Sequence, residues 1–230
     1  MRPHRLAVIL LVFLTFQVQV LAQRKAPTGG RIAVVVDERL SALRATPQLN
    51  GKLVRRLGRG RLVAIRSVKS NSGVTFLFVN VTRRTRGWIQ RESVVSPSRA
   101  GDDRRLFSLI QHSHGFDRIA RARIFLDHFR RSPLRPAVLL LIGDTAEELA
   151  SKLIRKPNSV EPEAPEFTYY LNHPSLDRYN RQSVHFIFNS STKRYHYNGD
   201  AWRLLIRHHP NTPEALIARR RLQELAKRSP

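Results

Sequence analysis

The stretch from Ala42 to Val95 consists of short β-prone runs separated by turns, and no helical period occurs between them. Apolar and polar residues interleave over Arg61 to Val68, whereas Val74 to Val81 is rich in β-branched and aromatic side chains. Asn50-Gly51 and Ser70-Asn71-Ser72-Gly73 are typical of turns. Several short strands at this spacing predict a small closed or sandwiched β-domain, which we expect to hold partners rather than to perform chemistry.

Three groups of residues follow one another in this stretch. They are Leu43, Arg44 and Pro47, then Leu53, Val54, Leu57, Gly60 and Val63, and finally Gly87-Trp88-Ile89. In identity and spacing they resemble the bacterial SH3-like domain family, whose pattern starts with N-V-R-x-G-P and closes on G-W-V. The resemblance implies an SH3-like β-barrel over residues 30–96, with peptidoglycan or peptides as ligands. The family's mid-domain G-W-x-x-V is replaced by Gly73-Val74-Thr75-Phe76, so Phe76 is the aromatic residue that remains in this part of the domain.

Seven residues of this module are candidates for ligand binding. Arg44, Phe76 and Trp88 belong to the family-like motifs, and the other four form a basic cluster at a turn: Arg55, Arg56, Arg59 and Arg61. Such a cluster predicts a positive patch on the surface. Three alternatives stay open, namely that Trp88 is a buried core residue, that Arg44 supports a loop, and that the arginine cluster is a solvated turn.

The chain is strongly basic, with 41 Lys and Arg residues against 17 acidic residues and a formal net charge of +24. Residues 24–100 contain 17 basic and 3 acidic residues, whereas residues 101–230 contain 22 and 14. Such a charge favours anionic partners, namely an anionic polymer, a membrane surface or nucleic acid, through the N-terminal module. The alternative is that dispersed arginines reflect the codon usage of a GC-rich genome.

From Asp102 onward the periodicity becomes helical. Ile119, Ala122, Leu126 and Phe129 recur at steps of three and four, which is the stripe of an amphipathic helix. The predicted fold class is therefore α+β in two parts, a small SH3-like β-barrel followed by an α-helical region. We expect a helical hairpin region over residues 102–156, a linker and irregular segment over residues 157–198, and a C-terminal helical hairpin over residues 199–228.

The segment between the two helical regions has the weakest pattern. Pro157 to Glu166 is a Pro- and Glu-rich linker, and Val184 to Phe188 predicts a short strand.

The two helical regions look like weak internal repeats. FLDHFRRSPLRPA and LLIRHHPNTPEA align around Ser132-Pro133 and Thr212-Pro213, and each predicts a helix, a proline-bearing turn and a second helix. This arrangement is similar to the tetratricopeptide class of helical hairpins, which present concave surfaces to peptides. Two incomplete hairpins are fewer than the three repeats that a solenoid usually needs, so we expect the barrel or a partner to supply the missing burial.

Residues 1–22 resemble a secretory signal peptide, with basic Arg2 and Arg5, the apolar run Leu6 to Leu14 and a small residue, Ala22, at the cleavage site. An uncleaved membrane anchor is the alternative, although the apolar run is shorter than the roughly 20 residues of a membrane span. The chain contains no cysteine. This excludes a lipid-anchored lipoprotein, a cysteine peptidase and a disulfide-stabilised secreted domain, so we expect a bacterial protein exported to the periplasm or the medium.

No recognisable catalytic or metal-binding motif occurs in the sequence. G-x-S-x-G, H-E-x-x-H and a phosphate-binding glycine loop are absent, and His112-Ser113-His114 lacks further ligands at a zinc-like spacing. We therefore expect no catalytic residue, no cofactor and no metal.

These patterns favour an exported, non-catalytic binding or scaffold protein of the bacterial cell envelope, whose partner is a peptide, peptidoglycan or an envelope protein. The first alternative is an electrostatic binder of anionic polymer, lipid or nucleic acid through the basic module. The export signal and the scarcity of aromatic residues disfavour nucleic acid within that alternative. The second alternative is an envelope hydrolase whose catalytic residues the sequence does not reveal.

Overall fold

A computed structural model describes residues 30–153, 174–189 and 192–228. The predicted signal peptide over residues 1–22 and the linker from Pro157 to Glu166 lie outside the described residues. Within these ranges the chain combines a seven-stranded antiparallel sheet, a separate two-stranded hairpin and six helices. The expected mixture of strands and helices, with strands first, is therefore confirmed.

The large sheet is built by the N-terminal part of the chain. Its strands are β1 (Arg31–Val35), β2 (Ala42–Arg44), β3 (Leu53–Arg56), β4 (Leu62–Asn71), β5 (Val74–Asn80), β6 (Arg86–Gln90) and β7 (Val94–Val95), with a 3-10 turn over Arg91–Ser93. In space they follow the order β3-β2-β6-β5-β4-β1-β7. All neighbouring strands are antiparallel.

The sheet has two different faces, because successive side chains of a strand point to opposite sides. Side chains of one side, the inner face, pack against each other in a single buried cluster: Ala33, Val35, Leu43, Leu57, Val63, Leu77, Val79, Val81, Ile89 and Val94. Residues from six strands can meet in one cluster only if the sheet curls around it. We call the opposite side the outer face.

The sheet is not closed, in contrast to the expected barrel. In the part of the chain that the structure describes, its two edge strands, β3 and β7, each have one strand neighbour. β7 is only two residues long because it is confined between the 3-10 turn and Pro97, which cannot donate a ladder hydrogen bond. The following helix then covers β7, since the Arg105 guanidinium donates hydrogen bonds to the carbonyl oxygens of Glu92 and Val94.

The rest of the described chain is mainly helical. Its elements are α1 (Asp102–Gln111), α2 (Gly115–His128), α3 (Arg135–Lys152), α4 (Pro174–Asn180), β8 (Phe186–Asn189), β9 (Arg194–Tyr197), α5 (Asp200–His208) and α6 (Pro213–Arg228). The pairs α2–α3 and α5–α6 lie where the sequence predicts helical hairpins. Of the helices in the described ranges, none is both long enough and apolar enough to cross a bilayer.

The segment over residues 157–198 is not irregular in its described part, because it contains α4 and the β8–β9 hairpin. Aromatic contacts fix both elements. The rings of Tyr179 and Phe186 meet edge to face at 5.4 Å, and those of Tyr197 and Trp202 meet in the same way at 5.4 Å. These large side chains bury enough surface to order a short stretch that has little periodicity of its own.

Strand β1 joins the sheet to the helices because it is buried on both faces. Ala33 and Val35 point into the inner cluster, whereas Val34 and Val36 belong to the core that the helices form. That second core also contains Val95 of β7 and, from the helices, Leu106, Ile110, Ile119, Phe125, Val138, Leu139, Trp202 and Leu205. The sheet therefore supplies part of the core into which the two helical hairpins pack.

Candidate functional site

One row of side chains crosses the outer face of the sheet from β3 to β4. The strand register places Leu53 opposite Arg44, Arg44 opposite Trp88, and Trp88 opposite Phe78. Ser67 follows opposite Phe78 on β4. Directly opposed residues of antiparallel strands share a face, so these five side chains lie on one surface, which we call the outer row.

An aromatic pair forms the centre of the outer row. The ring centroids of Phe78 and Trp88 are 5.2 Å apart, with an angle of 55° between the ring planes. This is the range of favourable aromatic contacts. Both side chains are half-buried. Neither belongs to the core that the helices form, although that core covers another part of the outer face, at Val34. The pair therefore presents ring surface to solvent.

Arg44 is held beside the aromatic pair by the loop that follows β2. Its Nη1 atom donates a hydrogen bond to the carbonyl oxygen of Gly51 at 2.8 Å. The predicted support of a loop by Arg44 is thus present, but a guanidinium has five N–H donors and this contact uses one of them. Gly87 brings β6 close to β2, because a Cβ atom at Gly87 would lie 2.6 Å from the carbonyl oxygen of Arg44.

Phe76 is on the outer face but is not accessible. Its side chain is 1% exposed, two positions along β5 from Phe78 and opposite Gln90. A ligand cannot reach a ring in that position, so the aromatic that accompanies Trp88 at the surface is Phe78. Phe78 is not among the candidates selected from the sequence, although the alternation of β5 places it on the same face as Phe76.

The four arginines of the predicted basic cluster do not form one surface. On β3, Arg55 lies opposite Leu43 and Arg56 lies opposite Ala42. Because Leu43 belongs to the inner cluster, Arg55 is on the inner side of the strand and Arg56 is on the outer side. Both side chains are exposed at the edge of the sheet.

The other two arginines of the cluster make contacts inside the protein. Arg59 donates a hydrogen bond from Nη1 to Oδ1 of Asp117 in α2 at 3.0 Å, and its side chain is only 15% exposed. Arg61 donates from Nη2 to the carbonyl oxygen of Val81 at 3.2 Å. Arg55 and Arg56 are therefore the members of the cluster that are most available to a partner.

A buried ionic cluster lies between this turn and α2. Arg121 donates from Nη1 to Oγ of Ser113 at 2.7 Å and lies 3.8 Å from the carboxylate of Asp37. Burial lowers the pKa of Arg121, and the charge of Arg59 lowers it further. Burial alone would raise the pKa of Asp37, but hydrogen bonds from Arg39 and the charges of Arg39 and Arg121 hold it below its usual value. The cluster ties the sheet to the helices.

A cleft between α2, α3 and α5 contains a histidine–carboxylate pair that is not among the candidates selected from the sequence. The Nδ1 atom of His185 lies 3.0 Å from Oδ2 of Asp200. Burial would raise the pKa of Asp200, but hydrogen bonds from His185, Asn198 and Arg203 lower it below the usual value. His185 and Asp200 are 15 positions apart and are joined by the β8–β9 hairpin, so no local motif could have revealed the pair.

His185 and Asp200 are residue types that a serine hydrolase uses, but among the described residues they lack the hydrogen bond to a serine that such a site needs. Ser183 lines the same cleft. A nucleophilic serine needs a hydrogen bond to its base, and none of the hydrogen bonds in the described part of the chain joins Ser183 to His185. Asp200 also begins α5 and accepts hydrogen bonds from Asn198 and Arg203, which gives it a structural role.

Metal binding finds no support in the described ranges, where no three His, Asp or Glu side chains come together in a way that could hold an ion. No protein-family model, no curated protein and no solved structure matches the chain. The outer row and the sheet that carries it are therefore the features from which a function can be inferred.

Proposed function

We propose that this protein is a non-catalytic binding protein of the bacterial cell envelope and that the outer row is its binding surface. The observation that carries the proposal is the half-buried pair of Trp88 and Phe78, with Arg44 beside it, on the part of the sheet that the helical core does not cover. An aromatic surface packs against sugar rings or apolar side chains, and a guanidinium binds carboxylates with two hydrogen bonds. Peptidoglycan and its peptides offer both groups.

In this proposal the sheet is an open variant of the SH3-like barrel. Residues that match the family's pattern hold positions that such a fold needs. Leu43, Leu57 and Ile89 belong to the inner cluster, Gly60 has a positive φ of 76° at a turn, and Gly87 permits the close approach of β2 and β6. These placements support the resemblance over residues 30–96.

The helical hairpins are tetratricopeptide-like scaffolding in this proposal. Small side chains are buried along α5 and α6, as in such hairpins: Ala201, Ala215 and Ala218. Because the hairpins pack on Val34 of β1 and on Val36, which follows this strand, their role is to support the binding module rather than to offer a second peptide surface. The signal-like residues 1–22 support export, which gives the module access to the cell wall.

Retention of the full-length protein on purified bacterial cell wall tests the proposal. We expect Trp88→Ala to weaken retention by about tenfold or more, because a central aromatic contributes a large share of binding energy at an interface. Arg44→Ala should also weaken it. Ile187→Ala, which removes an exposed apolar side chain of β8, is the matched control and should retain wild-type binding.

Thermal unfolding of each variant shows whether a loss of retention reflects a loss of fold. The proposal is overturned if the wild type is not retained at low or moderate salt, or if folded Trp88→Ala and Arg44→Ala are retained as well as the wild type.

The same assay separates the two alternatives. An electrostatic binder should lose nearly all retention when Arg55 and Arg56 are replaced by Glu, and its affinity should fall steeply with salt. Binding through the outer row should survive that double replacement to a large extent. Wall turnover by the intact protein that disappears in His185→Ala would instead establish a hydrolase.

A further inference from the structure

The two edges of the large sheet differ in how they are protected. β7 is two residues long, is buried, and is covered by the Arg105 hydrogen bonds from α1. β3 is four residues long and each of its residues is exposed, with Leu53 at 47% and Val54 at 49%. Among the described residues its one strand neighbour is β2. An exposed edge strand with apolar side chains is a template for the addition of another strand.

The backbone of β3 also offers hydrogen-bonding groups on its free side. At one end, the N–H of Leu57 donates to the carbonyl oxygen of Ser41 at 3.2 Å, which marks a hydrogen-bonded pair. Hydrogen-bonded and non-hydrogen-bonded pairs alternate along an antiparallel ladder. The next pair, Arg56 opposite Ala42, is therefore of the second kind, and the N–H and C=O of Arg56 point away from β2.

The other end of β3 has the same arrangement. The N–H of Ala45 donates to the carbonyl oxygen of Lys52 at 2.9 Å, and Leu53 is the next residue, opposite Arg44. By the same alternation, the N–H and C=O of Leu53 point to the free side. The register of β2 and β3 shifts between Leu43 and Arg44, so β3 presents two separate sets of backbone donors and acceptors, one at each end of the strand, and not one regular ladder.

The charges around this edge select the kind of strand that can pair with it. Lys52, Arg55 and Arg56 are exposed, and no ion pair in the described part of the chain includes any of them. Arg55 and Arg56 project to opposite faces, so both sides of an added strand would meet a guanidinium. A strand with acidic side chains would form charge-assisted hydrogen bonds with them.

We propose that the β3 edge binds an extended acidic peptide as an additional strand of the sheet. The proposal rests on the proposed function as a binding protein and names a partner for the sheet, an acidic peptide. Main-chain hydrogen bonds with Leu53 and Arg56 supply affinity, and pairing with Arg55 and Arg56 supplies selectivity. The added strand continues the outer row beyond Leu53.

A second copy of this chain does not fit the same edge. Antiparallel pairing of two β3 strands brings two copies of Lys52, Arg55 and Arg56 into one small area, and like charges close together destabilise a strand pair. The basic side chains therefore oppose self-association while leaving the backbone open to an acidic strand.

A short capped peptide with two consecutive Glu residues between Val residues, which places a carboxylate on each face of the strand, tests the proposal with the full-length protein. We expect binding by calorimetry or fluorescence anisotropy, and no binding of the same peptide with Lys in place of Glu. The same Glu peptide with every backbone amide nitrogen methylated keeps every charge but cannot donate a backbone hydrogen bond. It should bind at least about tenfold more weakly, because loss of even one or two net hydrogen bonds has that effect.

Variants of the protein locate the contact. Arg56→Pro removes the outward N–H of Arg56, and Arg56→Ala removes only the side chain, so the proline variant should bind the peptide several-fold more weakly than the alanine variant. Arg83→Glu changes the charge by the same amount as Arg56→Glu, at an exposed arginine in the β5–β6 loop. Arg56→Glu should abolish binding and Arg83→Glu should leave it within about twofold.

The outcomes separate this inference from the function on which it rests. Equal binding of the N-methylated and parent peptides, or equal losses in Arg56→Glu and Arg83→Glu, would show a purely electrostatic contact and overturn strand addition. No binding of the Glu peptide, with Trp88-dependent wall retention intact, would overturn strand addition and leave the outer row in place. Peptide binding that survives Trp88→Ala, without any wall retention, would support the edge and overturn the wall ligand.

Discussion

The Nε atom of Arg121 in α2 donates a hydrogen bond to the carbonyl oxygen of Val36, 3.2 Å away and 85 residues earlier in the chain. The Arg121 side chain is 8% exposed. Val36 follows β1, the strand that is buried on both faces, so this contact joins the backbone of the sheet to a helix at the centre of the molecule. Stability of the sheet and of the helices should therefore be coupled.

Arg121→Met tests that coupling. Methionine fills similar space but leaves the carbonyl oxygen of Val36 without its donor and removes one positive neighbour of Asp37. We expect the free energy of unfolding to fall by about 2–3 kcal/mol, measured by urea denaturation in a single transition. Arg123→Ala on the same helix removes a pair with Asp127 that is about half exposed, and should cost less than about 1 kcal/mol. Equal stabilities of Arg121→Met and the wild type would contradict the structural role of Arg121.

Gly143 in α3 permits the close packing of Trp202 from α5. A Cβ atom at Gly143 would lie 2.5 Å from Cδ1 and 2.6 Å from Cε2 of the Trp202 ring, and Trp202 is fully buried. We expect Gly143→Ala to lower the free energy of unfolding by about 1–3 kcal/mol, because the ring cannot move without displacing its neighbours. The loss should occur even though alanine is the better helix former.

Two further variants control this prediction. A Cβ atom at Gly58 would have a carboxylate oxygen of Glu38 as its nearest heavy atom, at 3.9 Å, so Gly58→Ala should leave stability almost unchanged. Trp202→Phe in the Gly143→Ala background should recover part of the loss, which is a coupling that a double-mutant cycle measures. Additive effects of the two substitutions would mean that the ring and the glycine do not meet.

Asp144 should make the protein less stable as the pH rises. Burial raises the pKa of Asp144 above its usual value, against the opposing effects of Arg221 and Trp202. The native state therefore holds this proton more tightly than the unfolded state does, and the associated stability is lost as the pH rises through the folded pKa. We expect Asp144→Asn to be more stable than the wild type at neutral pH, with the advantage vanishing below about pH 3.

Asp37 should behave in the opposite way and is the control for Asp144. Its pKa is lowered in the folded protein, because the hydrogen bonds and charges of Arg39 and Arg121 outweigh burial. Its stabilising effect is present above the usual pKa of aspartate and is lost as the pH falls through the folded value. Asp37→Asn should thus be less stable than the wild type at neutral pH, measured by the same urea titrations. Equal pH profiles for the two variants would contradict both assignments.

Strands and helices could be predicted from the sequence wherever a pattern repeats over many residues. The β-branched stretch of β5 and the stripe along α2 both have a period that belongs to one kind of element. The packing of the sheet against the helices was harder to predict from the sequence. Val34, Val35 and Val36 form a continuous apolar run, which is typical of a strand buried on both faces, and the structure places helices on one side and the inner cluster on the other.

The candidate site was harder to predict, because its members depend on register and on distant partners. Phe76 and Phe78 are the same residue type and lie on the same face, and only their neighbours decide that Phe76 is covered and Phe78 is partly exposed. A turn rich in arginine predicts a positive surface, but it cannot indicate that Arg59 meets Asp117, 58 residues later.

The contact between Arg59 and Asp117 distinguishes a structural arginine from a ligand-binding one. Because the Arg59 side chain is mostly buried and Asp117 is more than half exposed, we expect Arg59→Ala to lower the free energy of unfolding by about 1 kcal/mol, with a coupling of about 0.5–1 kcal/mol to Asp117→Ala in a double-mutant cycle. Cell-wall retention of Arg59→Ala should match that of the wild type. Arg55→Ala, at an exposed position of β3, should leave stability unchanged and serves as the control. If Arg59→Ala instead loses retention at unchanged stability, then Arg59 binds the ligand and the basic turn is part of the site.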